Sequence, residues 1–456
     1  MPPLLAGMPG MRVPARLAML PMLHRHGQSS DSCVGFKLTV TSETLYDHQR
    51  AGAHGKGTPM AAEHDLSQPA ATAVIDMAAA QDPRALARTL REEPVVRFGE
   101  NMAIVTRHGD VETALRHPAL FSSGAGAVEL GNVRPLIPLQ IDPPRHVKYR
   151  RILDPLFAPR NVAGLEEEVT ALVGELVDRF AQRGTCDFHD ELAVPLPCTV
   201  FLKLLGLPQG DLEDLLAMKD GIIRPEGASM HEQEPRRREA AESIYGYFEK
   251  VVRQRREAPG EDLLTKIVNA EVDGQRLSDE EILDTCFLFL IAGLDTVTDS
   301  LDCIFAHLAQ HPADQRLLAR DPAAVPLAIE ELLRWESPVP AVARIATDDL
   351  EVGGCPVHAG EQVILMIGSA NTDCSRHEGW DSLDLRRDPN PHLAFGGGVH
   401  RCLGSHLARL ELRVAVWEVN RRIADFRIAP GTVLEYTPGL RSLHALPLVF
   451  EPRCEQ

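Results

Sequence analysis

Residues 395–404 read Phe-Gly-Gly-Gly-Val-His-Arg-Cys-Leu-Gly, an arrangement of types that suits a reactive sulfur. Gly396, Gly397 and Gly398 let backbone approach something flat and close without Cβ interference. The pattern from Leu407 to Leu412 continues as helix, so Cys402 falls just before or within a first helical turn. Free amides and the helix dipole there favour a thiolate, which is either a soft metal ligand or a nucleophile. A nucleophile needs a general base and an oxyanion pocket; His400 and His406 are near, but the stretch offers no orienting carboxylate. For zinc, His400, Cys402 and His406 supply three groups with no matching second half elsewhere. An inert buried cysteine under a glycine turn is the plain structural alternative.

A second group of chemical interest is Ala292-Gly293-Leu294-Asp295-Thr296, a small residue, a carboxylate and a hydroxyl set inside an apolar helix. Ser278-Asp279-Glu280-Glu281 forms a capping box, and no proline follows until Pro312. This predicts about thirty residues of continuous helix, roughly 45 to 50 Å long. Either Asp295 meets an internal partner and Thr296 bonds back to the carbonyl four residues earlier, or the helix opens there into a polar notch for proton traffic.

The elements that must hold these groups are mostly helices. Segments 161–182, 210–220, 235–257 and 262–270 carry leucines, alanines and charges at helical spacing, with Pro195, Pro197, Pro208 and Pro259 as breakers. Residues 94–110 read as two short strands around Gly99-Glu100-Asn101, and 344–367 as further strands punctuated by Gly353-Gly354 and Gly360. The expected class is mainly α with a minor β region, and no repeat period is visible.

Composition bounds the rest. The 456 residues, 44% hydrophobic, bury a large core, and 65 acidic against 47 basic residues give a net charge of -18 that argues against a nucleic-acid partner. Nine cysteines without a Cys-x-x-Cys pair suit a reducing, cytoplasmic setting. The most apolar window, 286–294, ends at Asp295 and is too short to anchor the chain in a membrane. Arg12 and Arg16 precede an apolar run, the order of a signal peptide, but the run is short, holds Pro21 and lacks a small-x-small site. Residues 1–60 are therefore expected to be a poorly ordered extension, or an over-long start before Met60, leaving 61–456 as a single domain.

Phe395-Gly396-Gly397-Gly398-Val399-His400-Arg401-Cys402-Leu403-Gly404 resembles the haem-binding loop of the cytochromes P-450, the haem-thiolate monooxygenases. The acid-alcohol pair in AGLDT, the E-x-x-R of Glu331 to Arg334 and the stretch DPPRHVKYRR at 142–151 follow the family's order, and the likeness covers roughly residues 75–452. The resemblance implies a long central helix over haem b (iron protoporphyrin IX), with Cys402 ligating the iron, Phe395 shielding the sulfur, and Gly398 of the glycine turn binding the cofactor. It implies that His146, Arg150, Arg344 and His400 bind the propionates, that Gly293 admits haem and oxygen, and that Thr296 and Asp295 deliver protons to bound dioxygen. Glu331 and Arg334 lock the scaffold, while His392 and His406 receive no role. Asn371-Thr372-Asp373-Cys374 departs from the family's usual A-N-R-D-P, and Val297 replaces a second hydroxyl found in some members.

The implied reaction inserts one oxygen atom from O2 into a C–H bond. With no fused flavin or iron–sulfur motif, electrons from NAD(P)H are expected through a separate ferredoxin and its flavin-containing reductase. Lys148, Arg151, Arg401 and Arg409 are candidates for the docking face. The loop 123–139, Leu290 to Leu294, Pro338 to Val342 and Leu440 to Leu446 are expected to line an apolar pocket suited to a terpenoid, steroid or branched lipid, with Arg134 or Arg224 as a possible carboxylate anchor. A peroxide-driven haem enzyme and a zinc or cysteine hydrolase are the rivals.

Overall fold

The computed structural model describes residues 79–452 apart from residues 100, 125, 129–131, 133, 228 and 424, so the extension expected over 1–60 lies outside the described residues. Helices dominate. Those that matter for the site are α1 (His108–Arg116), α2 (Arg145–Leu156), α3 (Glu166–Asp178), α4 (Pro195–Leu204), α5 (Leu212–Ile223), α6 (Met230–Glu257), α7 (Asp279–Gly293), α8 (Asp295–Gln310), α9 (Val325–Glu336) and α10 (Ser405–Arg422).

The largest sheet among the described residues contains β1 (Val95–Phe98), β2 (Met102–Val105), β3 (Phe121–Ser122), β4 (Val342–Ala346) and β5 (Gln362–Leu365), in the order β1-β2-β5-β4-β3. β1 and β2 pair antiparallel with Phe98 opposite Met102, as the turn signal at Gly99 predicts, and β5 runs parallel to β2. The sheet packs on α1 through Val111 and Leu115, which meet Val105, Val363 and Leu365.

Two larger apolar clusters meet on either side of the α7–α8 axis. Phe287, Leu290 and Leu294 pack with Phe201, Leu202, Leu215, Ile244 and Phe248 from α4, α5 and α6. Leu301, Ile304 and Phe305 pack with Leu332 of α9 and with Val414 and Val416 of α10. Each such side chain contributes about 1.5–3 kcal/mol of burial.

Two sequence expectations are corrected. The central helix starts where predicted, with Ser278 Oγ accepting from the Glu281 N–H (3.1 Å) and Glu281 Oε2 accepting from the Ser278 N–H (2.8 Å), but it breaks at Leu294 into α7 and α8. Pro195 and Pro197, taken as breakers, open α4, where the first-turn N–H groups have no intrahelical acceptor to lose. Among the described residues no helix is long and apolar enough to cross a membrane.

Candidate active site

Cys402 sits on a loop closed by its own N–H, which donates to the Phe395 carbonyl at 2.9 Å, and α10 begins three residues later. Gly396 and Gly398 take φ of 66° and 63°, whereas Gly397 is extended. A Cβ on Gly398 would collide with the Leu115 carbonyl oxygen and lie 3.1 Å from the Arg116 Cα. At this position the glycine is therefore required by the close approach of the loop to the end of α1 as well as by its left-handed backbone.

The loop is braced from several elements. Arg150 of α2 donates to the Arg401 carbonyl (2.9 Å) and to Asp154 (2.6 Å). Asn371 accepts the Leu393 N–H (2.7 Å) and donates to Ser337 (2.9 Å), so the sequence departure that begins at Asn371 still orders the approach to the loop. Arg409 forms a bidentate pair with Glu330, 2.7 Å to each oxygen, and lies 4.3 Å over the Phe395 ring. His392, given no role from sequence, also meets Glu330 at 3.0 Å.

Behind the loop, Glu331 and Arg334 are fully buried and pair through two contacts of 2.7 Å. Arg334 also donates to the carbonyls of Asn371 (2.6 Å), Trp380 (2.9 Å) and Ser382 (2.8 Å). Glu331 further accepts from Arg387 (3.1 Å), Asn390 (3.0 Å) and the Asp384 N–H (2.8 Å). Arg387 and Asn390 escaped the sequence reading because they act at 56 and 59 residues' separation, with no local spacing to betray them.

Cys402 keeps exposed surface although its thiol is pushed up by burial in the protein. The Gly404 N–H and the charges of Arg150, Arg401 and Arg409 pull in the opposite direction, toward the thiolate. Leu403, next in sequence, touches the apolar cluster that holds Leu290 and Leu294 of α7. On α7, Ala292 and Gly293 are exposed between buried Ile291 and Leu294. A Cβ on Gly293 would make only ordinary contact with Phe201 at 3.7 Å, so its side toward Phe201 does not demand glycine.

Thr296 donates to the Ala292 carbonyl at 3.1 Å, the back-bond foreseen from sequence, which occupies a carbonyl close to the helix break. Asp295 is buried and paired with Lys219 of α5, itself buried, and its other oxygen lies 3.5 Å from Arg224. Arg224 is thus spent on Asp220 and Asp295, and Arg134 on Asp284 at 2.9 Å, so both proposed anchors already hold carboxylates. Leu443 and Leu446 are core residues of the α8–α10 cluster.

Near the loop, the His146 and His400 rings approach to 4.4 Å between centroids, and the Nε2 atoms of both are buried without a hydrogen-bond partner. Asp142, 3.6 Å from His400 Nε2, is committed to Ser122 and to the Ser123 N–H. Burial, then His146 and Arg344, pull His400 down to about 4. Arg344 on β4 is buried, its guanidinium brought down to about 10 by desolvation, and among the described residues no carboxylate pairs with it. Leaving the two histidine nitrogens unmatched costs about 1–3 kcal/mol each, and among the described residues Arg344 has one hydrogen bond, to the Ala343 carbonyl (2.7 Å), and no carboxylate in contact, so this corner suits an added acid group. The donor set fits haem, with one sulfur for the iron and the Arg344, His146 and His400 group for its propionates. Among the described residues no three His, Cys, Asp or Glu side chains converge on a metal-sized site, which leaves the zinc alternative without its ligands.

Comparison with known proteins agrees. The family model for cytochrome P450 matches residues 95–321 and 324–422. A probable cytochrome P450 127A1 of Sinorhizobium fredii is 38% identical over 74% of this chain and 80% of its own length. A steroid C26-monooxygenase of Mycobacterium tuberculosis is 35% identical over 82% of this chain and 95% of its own. The open form of cytochrome P450 EryK from S. erythraea superposes with a TM-score of 0.75 at 33% identity, covering 82% of this chain and 97% of that one. A sulfur presented on a closed glycine loop, a buried Glu-Arg lock behind it and this agreement over most of the chain lead to one conclusion: the chain belongs to the cytochrome P450 family and is an oxidoreductase of the monooxygenase type.

Proposed function

We propose that the enzyme uses O2 to hydroxylate an apolar small molecule, a steroid or similarly branched terpenoid or lipid, in the cytoplasm, with electrons from NAD(P)H reaching it through a ferredoxin and a flavin-containing reductase. The observation that carries the dioxygen reading is the interrupted helix at Leu294, where the Thr296 hydroxyl and the Lys219-paired Asp295 flank exposed Ala292 and Gly293. The steroid preference draws on the related steroid C26-monooxygenase and on the apolar side chains around α7.

Haem b, when bound, supplies the oxidising chemistry; Cys402 is the residue to hold its iron, and Arg344, His146 and His400 are the residues to hold its propionates. Arg150 keeps the Cys402 loop against α2 and adds positive charge near the sulfur. Phe395, fixed beneath the Arg409 guanidinium, limits water at the sulfur. Thr296 rotates its hydroxyl away from the Ala292 carbonyl to present a proton, and Asp295 hands protons on when Lys219 releases it.

Three of the four basic residues suggested for partner docking are paired, Lys148 with Glu281 (2.7 Å), Arg151 with Asp273 (2.9 Å) and Arg409 with Glu330 (2.7 Å). Arg401 is exposed, and among the described residues no carboxylate pairs with it, which makes it the first contact expected for an acidic ferredoxin.

Thr296→Ala is expected to keep haem and substrate binding but to divert most reducing equivalents to peroxide, lowering product formed per NAD(P)H roughly ten-fold or more. Product and peroxide are measured together. A peroxide-driven enzyme would instead keep full peroxide-supported turnover and show no dependence on this hydroxyl.

A further inference from the structure

Beyond Asp295, the interior of α8 carries two buried carboxylates that the reaction above does not use. Asp295, Asp299 and Asp302 follow at i, i+4 and i+7 and are 5%, 1% and 0% exposed. That spacing places them on one helix face, neighbours about 5–6 Å apart at Cβ. Each keeps one buried oxygen without a hydrogen-bond partner: Asp295 Oδ2, Asp299 Oδ2 and Asp302 Oδ1.

The ends of this row differ. Asp295 is tied to Lys219 and lies beside Thr296. Asp302 accepts from His189 Nδ1 at 2.7 Å, and the His189 ring is 16% exposed. Asp299, between them, has no ion-pair partner among the described residues; the Ser442 hydroxyl and the distant Arg224 charge face it, while Asp295 and Asp302 repel it. Burial above all pushes Asp299 up to about 7 and Asp302 up to about 6.

The other groups near the row are Asp187 and Asp190 by Asp302, Asp220 by Lys219, Cys198 and Glu411 by the Asp295 end, and Cys303, which lies within electrostatic reach of Asp299, Asp302, Arg441 and Glu336. None of these neutralises Asp299. A buried unpaired carboxylate is expensive, whereas a buried carboxylic acid is a proton held in place.

We propose that Asp299 is the proton reservoir that recharges Asp295, and that Asp302 and His189 form its intake from solvent. Every step moves one proton between heteroatoms and changes no oxidation state. The Asp299 acid gives its proton to the Asp295 carboxylate, directly or across one water; Asp302 refills Asp299; His189 passes its Nδ1 proton to Asp302 and takes up another from solvent. The proposal rests on the dioxygen reading, because only that route consumes protons at Asp295.

The test uses the haem-loaded protein and the near-isosteric variants Asp299→Asn and Asp302→Asn, with Thr296→Ala alongside. Infrared difference spectroscopy should show a carboxylic-acid C=O band that shifts in D2O, titrates out near pH 7, and is missing in Asp299→Asn. In Asp299→Asn, product per NAD(P)H should fall about ten-fold while the ferric spectrum and substrate-induced spin shift stay as in the parent. Asp302→Asn should slow the return of the band after a pH jump and lower coupling less. A band that survives in Asp299→Asn, or full coupling in that variant while Thr296→Ala uncouples, overturns the relay and leaves the dioxygen reading standing. Full coupling in all three variants overturns both.

Discussion

Arg334→Ala is expected to yield a protein that does not assemble around its cofactor, recovered largely as apoprotein or aggregate. The substitution removes the buried partner of Glu331 and also three donors to the carbonyls of Asn371, Trp380 and Ser382. Breaking a buried pair by deleting one member costs about 3–5 kcal/mol, and total stability is on the order of 5–15 kcal/mol. Arg387 remains to share the Glu331 charge, but it reaches that carboxylate at 3.1 Å from a partly buried position and cannot replace the three carbonyl contacts. Arg334→Lys should fare little better, because an ammonium cannot make a bidentate pair and span those carbonyls at once. Thermal melting and the haem-to-protein ratio check this; a variant that melts like the parent with full haem content would contradict it.

Cys402→Ser should do the opposite, sparing the fold and removing the chemistry. The cysteine side chain keeps free surface, so one sulfur exchanged for oxygen leaves little packing to lose. The loop closure through the Cys402 N–H to Phe395 is a backbone bond and survives the change. What would be lost is the sulfur proposed to hold haem iron, so turnover should drop at least about a thousand-fold, equivalent to ~4 kcal/mol of barrier. Far-UV circular dichroism and melting temperature, read with turnover, separate this outcome from unfolding.

What could be read from sequence was whatever local spacing encodes. The Ser278–Glu281 box, the strands flanking Gly99, the Thr296 back-bond and the position of Cys402 ahead of α10 all depend on residues within a few positions of one another. The break at Leu294 was legible only as one of two readings of Ala292 to Thr296, an opened notch or a continuous helix with a back-bonded threonine, since about thirty residues without a proline read as continuous helix by length alone.

The remaining gaps are matters of distance along the chain. Lys219 meets Asp295 across 76 residues and Arg150 reaches the Arg401 carbonyl across 251, so neither pairing leaves a mark in any window of sequence. Burial of Asp299 and Asp302 was equally hidden, because carboxylates at i and i+3 on a helix look like a solvated face until α9, α10 and the His189 turn close over them. The glycine run reads as room for a close, flat approach, and the approach that requires glycine at Gly398 is that of the backbone at the end of α1.

The proposal that Cys402 holds haem iron underlies every role assigned to the side chains around it, and the visible spectrum of the purified protein, reduced and exposed to carbon monoxide, tests it directly. The account predicts the red-shifted Soret band of a thiolate-ligated carbonyl haem, absent from Cys402→Ser. A preparation that stays colourless after haem supplementation during expression, or a band that Cys402→Ser leaves unchanged, would contradict it.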